Sequence, residues 1–506
     1  MKRFLTVSAY QACLGAVLII CAIASVLWSW HWPLVGDASL MHYVVFLMHH
    51  GSIPYRNIVD VNLPGSYLAE AAAMRIFGWG SLAWRIYDLV LLLIGIGACV
   101  QIAKRKSIFG GIFAGIFFLL LHVQDGLAQL GQRDLLIAVL LVCSYVVLYY
   151  AQERPRSGLV IFLYGLLVGA TVMIKPFFLP LALILILLSA KRARERGLST
   201  GYHISFGFFG LILPSSLAIF WLWSHGALSA FFDALRTLIP FHASLGHKTF
   251  AYLLTHSTAP IMPLCILWIA LWIWRRRPLD LEQIELLIGA AVALLAYVLQ
   301  GKGYPYHRYP LLMLLLLLMG MDFAEGLTQR RWIKGFSVLA LAYACFFMAP
   351  RAAWMAQSFQ AATPFEDALA QKLQEQKINL SGNVQCLDTF GGCINTLYNL
   401  RVVQATDFLY DCYLFEPDNN KAVERYRAAF WKAYQQAHPE IVVLTSQYCF
   451  GPDNFKKLDA WPQLRDDLSH SYTQLTEWHP TQPQHWWARR EMPSQFRIYI
   501  RKQSSN

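Results

Sequence analysis

Long apolar segments that carry almost no charge dominate the sequence. They include residues 14–30, 89–100, 135–150, 179–190 and 311–321. An α-helix needs roughly 20 apolar residues to cross the hydrocarbon core of a bilayer. Charged residues make up 14% of the 506-residue chain, whereas an average soluble domain carries roughly 25%. The chain therefore cannot be a single soluble globule, and we expect a polytopic membrane protein.

Hydropathy predicts eleven membrane spans. Their approximate bounds are residues 10–30, 84–103, 108–123, 134–151, 158–174, 177–190, 202–223, 257–274, 282–300, 310–326 and 335–350. The first span follows Lys2 and Arg3, so a cleaved signal peptide is the alternative interpretation. However, its small residues are followed by further apolar sequence and by Trp28, Trp30 and Trp32, which are typical of a membrane-interface belt. We interpret it as an uncleaved first span.

The distribution of basic residues predicts the orientation. If the N-terminus is cytoplasmic, the short segments on that side carry 17 Lys or Arg, with clusters at residues 104–106, 191–196 and 330–334. The longer loops between spans on the opposite side carry only eight, without the C-terminal region. Basic residues favour the cytoplasmic side of membrane proteins. This asymmetry accounts for much of the net charge of +12 without a nucleic-acid partner, and an odd number of spans places the C-terminal region outside the cytoplasm.

The composition changes after residue 350 to that of a soluble domain. Residues 365–376 predict an amphipathic helix, while Val384–Leu387, Ile441–Thr445 and residues 496–500 predict short strands. We therefore divide the chain into a membrane module, residues 1–350, and an extracytoplasmic α/β domain, residues 351–506.

Four cysteines lie in this C-terminal region, namely Cys386, Cys393, Cys412 and Cys449. An even number of cysteines in an oxidising compartment predicts two disulfides. The pair that we expect above the other combinations is Cys386 with Cys393, but spacing alone does not fix the connectivity.

The first external loop begins with Asp37, which directly follows the first span. An apolar stretch then runs to Met48 and is too short to cross a bilayer, so we expect a helix along the membrane interface. A carboxylate at this depth suits a general base that deprotonates a hydroxyl while the other reactant stays in lipid. The alternative is that Asp37 caps the helix N-terminus without taking part in any chemistry.

Several cations lie near the outer leaflet, where the orientation rule predicts few. Arg133 precedes the fourth span, and Lys175 separates the fifth from the sixth. The segment from residue 300 to 310 contains Lys302, Tyr306, His307 and Arg308. Such groups can bind a phosphate through charge-assisted hydrogen bonds. The alternative is that they reach toward lipid headgroups, as basic residues at helix ends often do.

These features resemble the GT-C membrane glycosyltransferases. The resemblance rests on Asp37 after the first span, the interfacial helix, the elements at residues 51–55 and 62–65, the approach to the second span at residues 78–85, and the C-terminal domain. Within GT-C it is strongest toward the bacterial protein mannosyltransferases and the aminoarabinose transferase of lipid A. It covers residues 30–85 best and is mainly topological up to residue 350. Many relatives carry a second acid after the first, whereas Ala38 follows Asp37 here.

The resemblance implies a mainly α-helical, GT-C-like bundle in the bacterial inner membrane. It also implies inverting transfer of a sugar from a polyprenyl phosphate to a lipid, glycan or protein acceptor in the periplasm. Asp37 would be the base. The substrate-binding candidates are Asp60, Tyr55, Arg56, Arg133, Lys175, Lys302, Tyr306, His307 and Arg308.

Asp60 has three interpretations: a ligand for sugar hydroxyls, a partner of Asp37 in binding a divalent cation, or a turn residue ahead of Pro64. The sequence contains no HExxH motif, paired CxxC motifs or Gly-rich phosphate loop. It therefore predicts no cofactor, and a divalent cation stays an open alternative.

Three other functions remain compatible with the sequence. A transporter or flippase of lipid-linked glycans predicts ionisable residues deep within several helices. An oligosaccharide ligase would transfer a whole glycan rather than one sugar. A non-catalytic assembly protein of the cell envelope would not need Asp37.

Overall fold

The structure is a computed structural model and describes residues 2–153, 158–275, 278–358, 364–416, 420–449, 451, 453–480 and 495–503. Helices dominate these residues, and one small sheet lies near the C-terminus. The α-helices are α1 (Lys2–Ser29), α2 (Gly36–His49), α3 (Pro64–Phe77), α4 (Ser81–Ala103), α5 (Ile108–Gln124), α6 (Arg133–Glu153), α7 (Gly158–Ile174), α8 (Leu179–Glu195), α9 (Thr200–Ser224), α10 (Leu228–Arg236), α11 (Leu238–Ser244), α12 (Phe250–Ser257), α13 (Met262–Arg275), α14 (Leu281–Gln300), α15 (Tyr309–Gly326), α16 (Arg331–Tyr343), α17 (Ala349–Ser358), α18 (Pro364–Gln374), α19 (Cys393–Leu400), α20 (Lys421–Ala437) and α21 (Pro462–Ser471).

Within the described ranges, eight helical segments are long and apolar enough to cross a membrane. They are Ala9–Ser29, Ser81–Ala103, Arg133–Ala151, Pro176–Glu195, Thr200–Ser224, Leu281–Gln300, Pro305–Gly326 and Arg331–Gln357. A ninth candidate combines Phe250–Ser257 with Ala259–Arg275, which meet at a bend of 41°. Two shorter apolar helices, α5 and α7, coincide with the remaining predicted spans. The prediction of a multi-pass helical membrane protein is therefore confirmed, while the number of eleven crossings stays a prediction.

Helix α15 lies at the centre of the bundle and packs against α5, α6, α14 and α16. Nearly all of its side chains are buried. Gly110 of α5 faces Gly320 of α15, and a side chain at either position would meet the backbone of the other. Small residues at such crossings allow membrane helices to approach closely.

Helices α2 and α3 lie in the segment between α1 and α4. Helix α19 of the C-terminal region packs on α2, which is buried along most of its length. The Tyr43 hydroxyl donates to the carbonyl of Val402 (3.0 Å) and accepts from the backbone N–H of Gln404 (2.8 Å). The apolar face of α2 is therefore covered by the C-terminal region.

The C-terminal region contains a four-stranded sheet with strands β1 (Val384–Leu387), β2 (Ile441–Thr445), β3 (Tyr472–Trp478) and β4 (Phe496–Arg501). Their order is β1-β2-β4-β3, with β1 parallel to β2 and the other two pairs antiparallel. The two parallel strands are buried throughout, as expected for short and mainly apolar strands of a parallel pair. Sequence reasoning missed β3, in which Thr473, Gln474 and Leu475 are exposed.

Two disulfides stabilise this region. One joins Cys386 to Cys393, the pair expected first, and the other joins Cys412 to Cys449. The division proposed at residue 350 falls inside a continuous helical segment, because α16 and α17 are joined by a π-helical turn at Ala344–Met348.

Candidate active site

A cavity of about 550 Å³ lies where the loop between α1 and α4, several helix ends and the C-terminal region meet. This volume is within the range of roughly 300–1,000 Å³ typical of small-molecule sites. The polar and aromatic residues that line the cavity are Asp37, Asn62, Ser66, Gln129, Gln132, Arg133, Lys175, Phe177, His242, Gln300, Lys302, Tyr304, Tyr306, His307, Phe390, Tyr410, Tyr413 and Gln447.

Asp37 and the basic, tyrosine-rich segment near residue 305 share this cavity. The Tyr306 hydroxyl donates to Oδ2 of Asp37 over 2.7 Å. Nη2 of Arg133 lies 3.8 Å from the same oxygen. Asp37 lies in the first turn of α2, whose N-cap is Val35, and no side-chain hydrogen bond caps that terminus. The capping alternative for Asp37 is therefore wrong, and its carboxylate faces the cavity.

The loop before α6 places Arg133 at the cavity. The indole N–H of Trp84 donates to the carbonyl of Leu130 (3.0 Å), and the backbone N–H of Gly131 donates to Asp88 (2.7 Å). Gly131 has φ +59°, and a Cβ at this position would overlap the Trp84 ring. Only glycine satisfies both the left-handed backbone and this close approach.

Lys175 lines the cavity, but its charge is already matched. Its ammonium group donates to both carboxylate oxygens of Asp134 at 2.8 Å and to Oε1 of Gln300 at 2.5 Å. Lys175 can therefore contribute to a phosphate site only together with its Asp134 counter-ion.

Lys302 and His242 are neighbours in the lining of the cavity. The Lys302 ammonium donates to the carbonyls of His242 (2.7 Å) and Leu245. Burial lowers the pKa of Lys302 to about 8. Burial, together with the charges of Lys302 and Arg133, lowers the pKa of His242 to about 4, so this imidazole is neutral near pH 7. Its Nδ1 pairs with the Tyr413 hydroxyl at 2.8 Å.

Three predicted substrate ligands do not line the cavity. The Tyr55 hydroxyl donates to the carbonyl of Asn62, and its ring packs on Phe231. Nη1 of Arg56 donates to the carbonyl of His225 over 2.9 Å. Nη2 of Arg308 donates to Asp125 over 2.9 Å. Each of these side chains binds to a neighbouring segment of the protein, and the assignments of Tyr55, Arg56 and Arg308 to substrate binding stay predictions.

Asp60 is also outside the cavity, and its side chain is fully buried. Its Oδ1 accepts hydrogen bonds from the backbone N–H groups of Val61 (2.5 Å) and Asn62 (3.0 Å) and from the Tyr410 hydroxyl (2.9 Å). Because this side chain is buried and does not line the cavity, its roles as a ligand for sugar hydroxyls or for a cation shared with Asp37 stay predictions.

One other set of potential metal ligands occurs among the described residues, namely Asp411, Cys412 and Cys449. The two sulfurs are joined in a disulfide, and Asp411 accepts from the Lys457 ammonium (2.5 Å). These partners occupy the atoms that would otherwise bind a metal.

Several residues at the cavity were not singled out from the sequence. Asn62 lines the cavity, and Asp134 pairs with the lining residue Lys175. Their polar character next to apolar helices was the available signal. His242, Phe390, Tyr410 and Tyr413 carry no local signal, because they reach the cavity only through the packing of distant segments.

Comparison with known proteins identifies the fold. No protein-family model matches the sequence, and no curated protein matches it. The crystal structure of ArnT from Cupriavidus metallidurans bound to undecaprenyl phosphate has a TM-score of 0.58 at 12% identity, covering 98% of this chain and 99% of that one. The apo structure of the same protein gives a TM-score of 0.57 at 14% identity, covering 97% and 98%. An apo oligosaccharyltransferase from Archaeoglobus fulgidus gives 0.49 at 12% identity, covering 95% and 75%.

The likeness to ArnT extends over nearly the full length of both chains. The GT-C fold that the sequence analysis predicted is therefore confirmed. At 12–14% identity, the likeness establishes the fold alone.

Proposed function

We propose that this protein is an integral membrane glycosyltransferase that transfers a sugar from a polyprenyl phosphate to an acceptor hydroxyl, with inversion. The observation that carries this proposal is the position of Asp37. Its carboxylate accepts a hydrogen bond from Tyr306 inside the same cavity that Arg133, Lys175 and Lys302 line. A lone acid facing a basic wall meets the two chemical needs of glycosyl transfer from a phosphate.

The basic wall would bind the donor phosphate. As the bond between the anomeric carbon and the phosphate oxygen breaks, its electron pair moves to the phosphate, and negative charge grows there. Cations fixed beside this charge stabilise the transition state more than the ground state. Arg133 and Lys302 are suited to this role, Lys175 can assist with Asp134 as its counter-ion, and His307 can add a hydrogen bond.

Asp37 would act on the acceptor. The acceptor oxygen attacks the anomeric carbon from the face opposite the phosphate, which inverts its configuration. The hydroxyl proton passes to the Asp37 carboxylate as the new carbon–oxygen bond forms. Tyr306 would hold this carboxylate in place, because its hydroxyl donates to Oδ2.

The distribution of basic residues and the neighbouring fold support the proposed setting. The similar ArnT crystal structure is bound to undecaprenyl phosphate, a polyprenyl phosphate of the kind proposed here. Basic clusters at the opposite ends of the helices favour a cytoplasmic position for those ends. We therefore propose that the cavity and the C-terminal region face the periplasm of a bacterial inner membrane, with a lipid, glycan or protein as acceptor.

The decisive experiment is transfer by the purified full-length protein in lipid from a panel of radiolabelled polyprenyl-phosphate sugars. Asp37→Asn is expected to lower transfer by at least about a hundredfold while donor affinity stays near that of the wild type. The matched control is Asp233→Asn, because Asp233 is an exposed carboxylate that pairs with Arg425 at 3.0 Å. This control should transfer at the wild-type rate.

Transfer by Asp37→Asn at the wild-type rate would refute the assigned base. Movement of labelled donor across the bilayer without a glycoside product would favour the transporter alternative. Transfer restricted to donors that carry a preassembled glycan would identify an oligosaccharide ligase.

A further inference from the structure

Asp60 makes an unusual set of contacts for a residue outside the cavity. Its buried Oδ1 accepts hydrogen bonds from Val61, Asn62 and Tyr410. It also accepts one from Nδ2 of the Asn62 side chain, at 2.9 Å. A carboxylate oxygen is acceptor-only, so all of these groups must present hydrogen to it.

This arrangement determines which way the Asn62 amide points. A side-chain amide has a donor end and an acceptor end. Because Nδ2 of Asn62 donates to Asp60, the acceptor Oδ1 faces the other way, where it accepts from Nη1 of Arg133. A reversed amide would place its NH₂ group against the guanidinium, which has only donors.

The second guanidinium nitrogen of Arg133 faces Asp37 at 3.8 Å. Arg133 is thus fixed between Asn62 on one side and the proposed base on the other. Asn62 and Arg133 line the cavity, whereas Asp60 lies behind them.

The segment around Asp60 is held in a costly conformation. Tyr55 has φ +69°, a left-handed backbone that bulky residues rarely adopt. Burial raises the pKa of Asp60, although hydrogen bonds from Asn62, Tyr67 and Tyr410 oppose this effect. Strain and buried charge persist only where the surroundings enforce them, and they cluster at functional sites. This cost supports the geometric argument.

We propose that Asp60 and Asn62 form a positioning pair that orients Arg133 toward the donor phosphate. This inference rests on the proposed function, because it assumes that Arg133 binds the donor. Asp60 takes no part in the chemistry and acts through the amide of Asn62.

Three variants test this chain of hydrogen bonds. Asp60→Leu removes the acceptor that fixes the amide, and Asn62→Asp places a second carboxylate against Asp60. Each of these two variants should weaken donor binding by about tenfold or more, as expected for a disturbed hydrogen bond to a charged group. Asp60→Asn is the conservative variant, because its amide oxygen can still accept from Val61, Asn62 and Tyr410. Its donor affinity should therefore stay within about threefold of the wild type.

The measurements are the affinity for polyprenyl phosphate that lacks a sugar, KM and kcat for transfer, and the thermal unfolding midpoint, all on the full-length protein in detergent. The control is Asp407→Asn, because Asp407 accepts from Ser52 (3.0 Å) between the same loop and the C-terminal region. It should leave donor affinity unchanged. If Asp60→Leu or Asn62→Asp does not accumulate, Asn62→Leu replaces it and should lose affinity to the same degree.

Arg133→Ala distinguishes a failure of the proposed donor site from a failure of the positioning pair. Wild-type donor affinity in Arg133→Ala would refute the proposed donor site. Weak binding by Arg133→Ala together with wild-type affinity in Asp60→Leu would overturn the positioning pair. A loss of affinity in Asp60→Asn as large as that in Asp60→Leu would also overturn it.

Discussion

Two clusters of charged residues, at opposite ends of the helix bundle, differ in how many hydrogen-bond donors of the protein contact their central carboxylate. At one end Asp322 is fully buried and accepts from the indoles of Trp268 (2.8 Å) and Trp272 (3.0 Å), from Arg275 (2.7 Å) and from Gln283 (2.8 Å). At the other end the Asp37 side chain is 23% exposed and lines a cavity.

The contrast separates two uses of the same residue types. Every oxygen of Asp322 is occupied by protein donors, so this acid ties α13, α14 and α15 together. Asp37 has one short hydrogen bond, from Tyr306, and a more distant guanidinium, so it keeps capacity for another partner. Incomplete matching next to a cavity, rather than burial of charge, distinguishes the candidate site.

The largest expected effect tests this contrast directly. Asp322→Ala should lower the free energy of unfolding by about 3 kcal/mol or more, because it leaves Arg275, an amide and two indoles without their shared acceptor. Transfer per folded molecule should stay unchanged. Asp37→Ala should show the reverse pattern, and thermal unfolding in detergent combined with the transfer assay measures both. Loss of transfer in Asp322→Ala at unchanged stability would remove the distinction.

Lys302→Ala should raise the donor KM by about tenfold or more, because a charge-assisted hydrogen bond to phosphate is lost. The control is Lys248→Ala, which removes an exposed lysine from a nearby segment and should leave KM unchanged. Replacement of His307 by Phe should also weaken donor capture. Equal donor affinity in the Lys302 and His307 variants and the wild type would remove both residues from the phosphate site.

The lowered pKa of Lys302 gives the site a pH dependence. Because burial lowers this pKa to about 8, the ammonium charge is present below that pH and is lost above it. Donor affinity should therefore fall between about pH 7 and pH 9, whereas Lys302→Arg should flatten the profile because Arg stays protonated. His242, with a pKa of about 4, is neutral throughout this range. An identical fall in Lys302→Arg would show that another group titrates.

The smallest effect is expected from Arg56→Gln. Arg56 contributes an exposed hydrogen bond to His225 outside the cavity, so stability should change by no more than about 0.5 kcal/mol. The donor KM should equal that of the wild type. A marked rise in KM would support Arg56 as a substrate ligand and would show that the donor also contacts residues outside the cavity.

The fold could be predicted largely because its signals are local. Long apolar segments predict the helices, and short, mainly apolar runs predict β1 and β2. Strand β3 was missed because Thr473 and Gln474 are exposed and polar, so the strand resembles a loop in sequence. It becomes a strand only by pairing with β4.

The site could be predicted in part. Arg133, Lys302 and Tyr306 were singled out because cations cluster at helix ends where the orientation rule predicts few, and Asp37 because of its position after the first span. The role of Lys175 could not be judged, because its counter-ion Asp134 lies 41 residues away in the chain. Arg308 carries the same positive charge as Lys302, but its side chain donates to Asp125 and does not line the cavity. Only the packing of the helices determines which of the two cations lines the cavity.

The walls of the cavity are drawn from nearly the whole chain, since Gly36 contributes at one extreme and Cys449 at the other. A ribosome releases these segments in order, so the carboxylate of Asp37 enters the membrane long before its cover of Phe390, Tyr410 and Tyr413 is translated. Chains truncated ahead of the sheet would keep the basic wall and the acid but would lack a closed chamber. Completion of synthesis is therefore a precondition for a finished site. We expect prematurely terminated products not to consume the polyprenyl-phosphate donor.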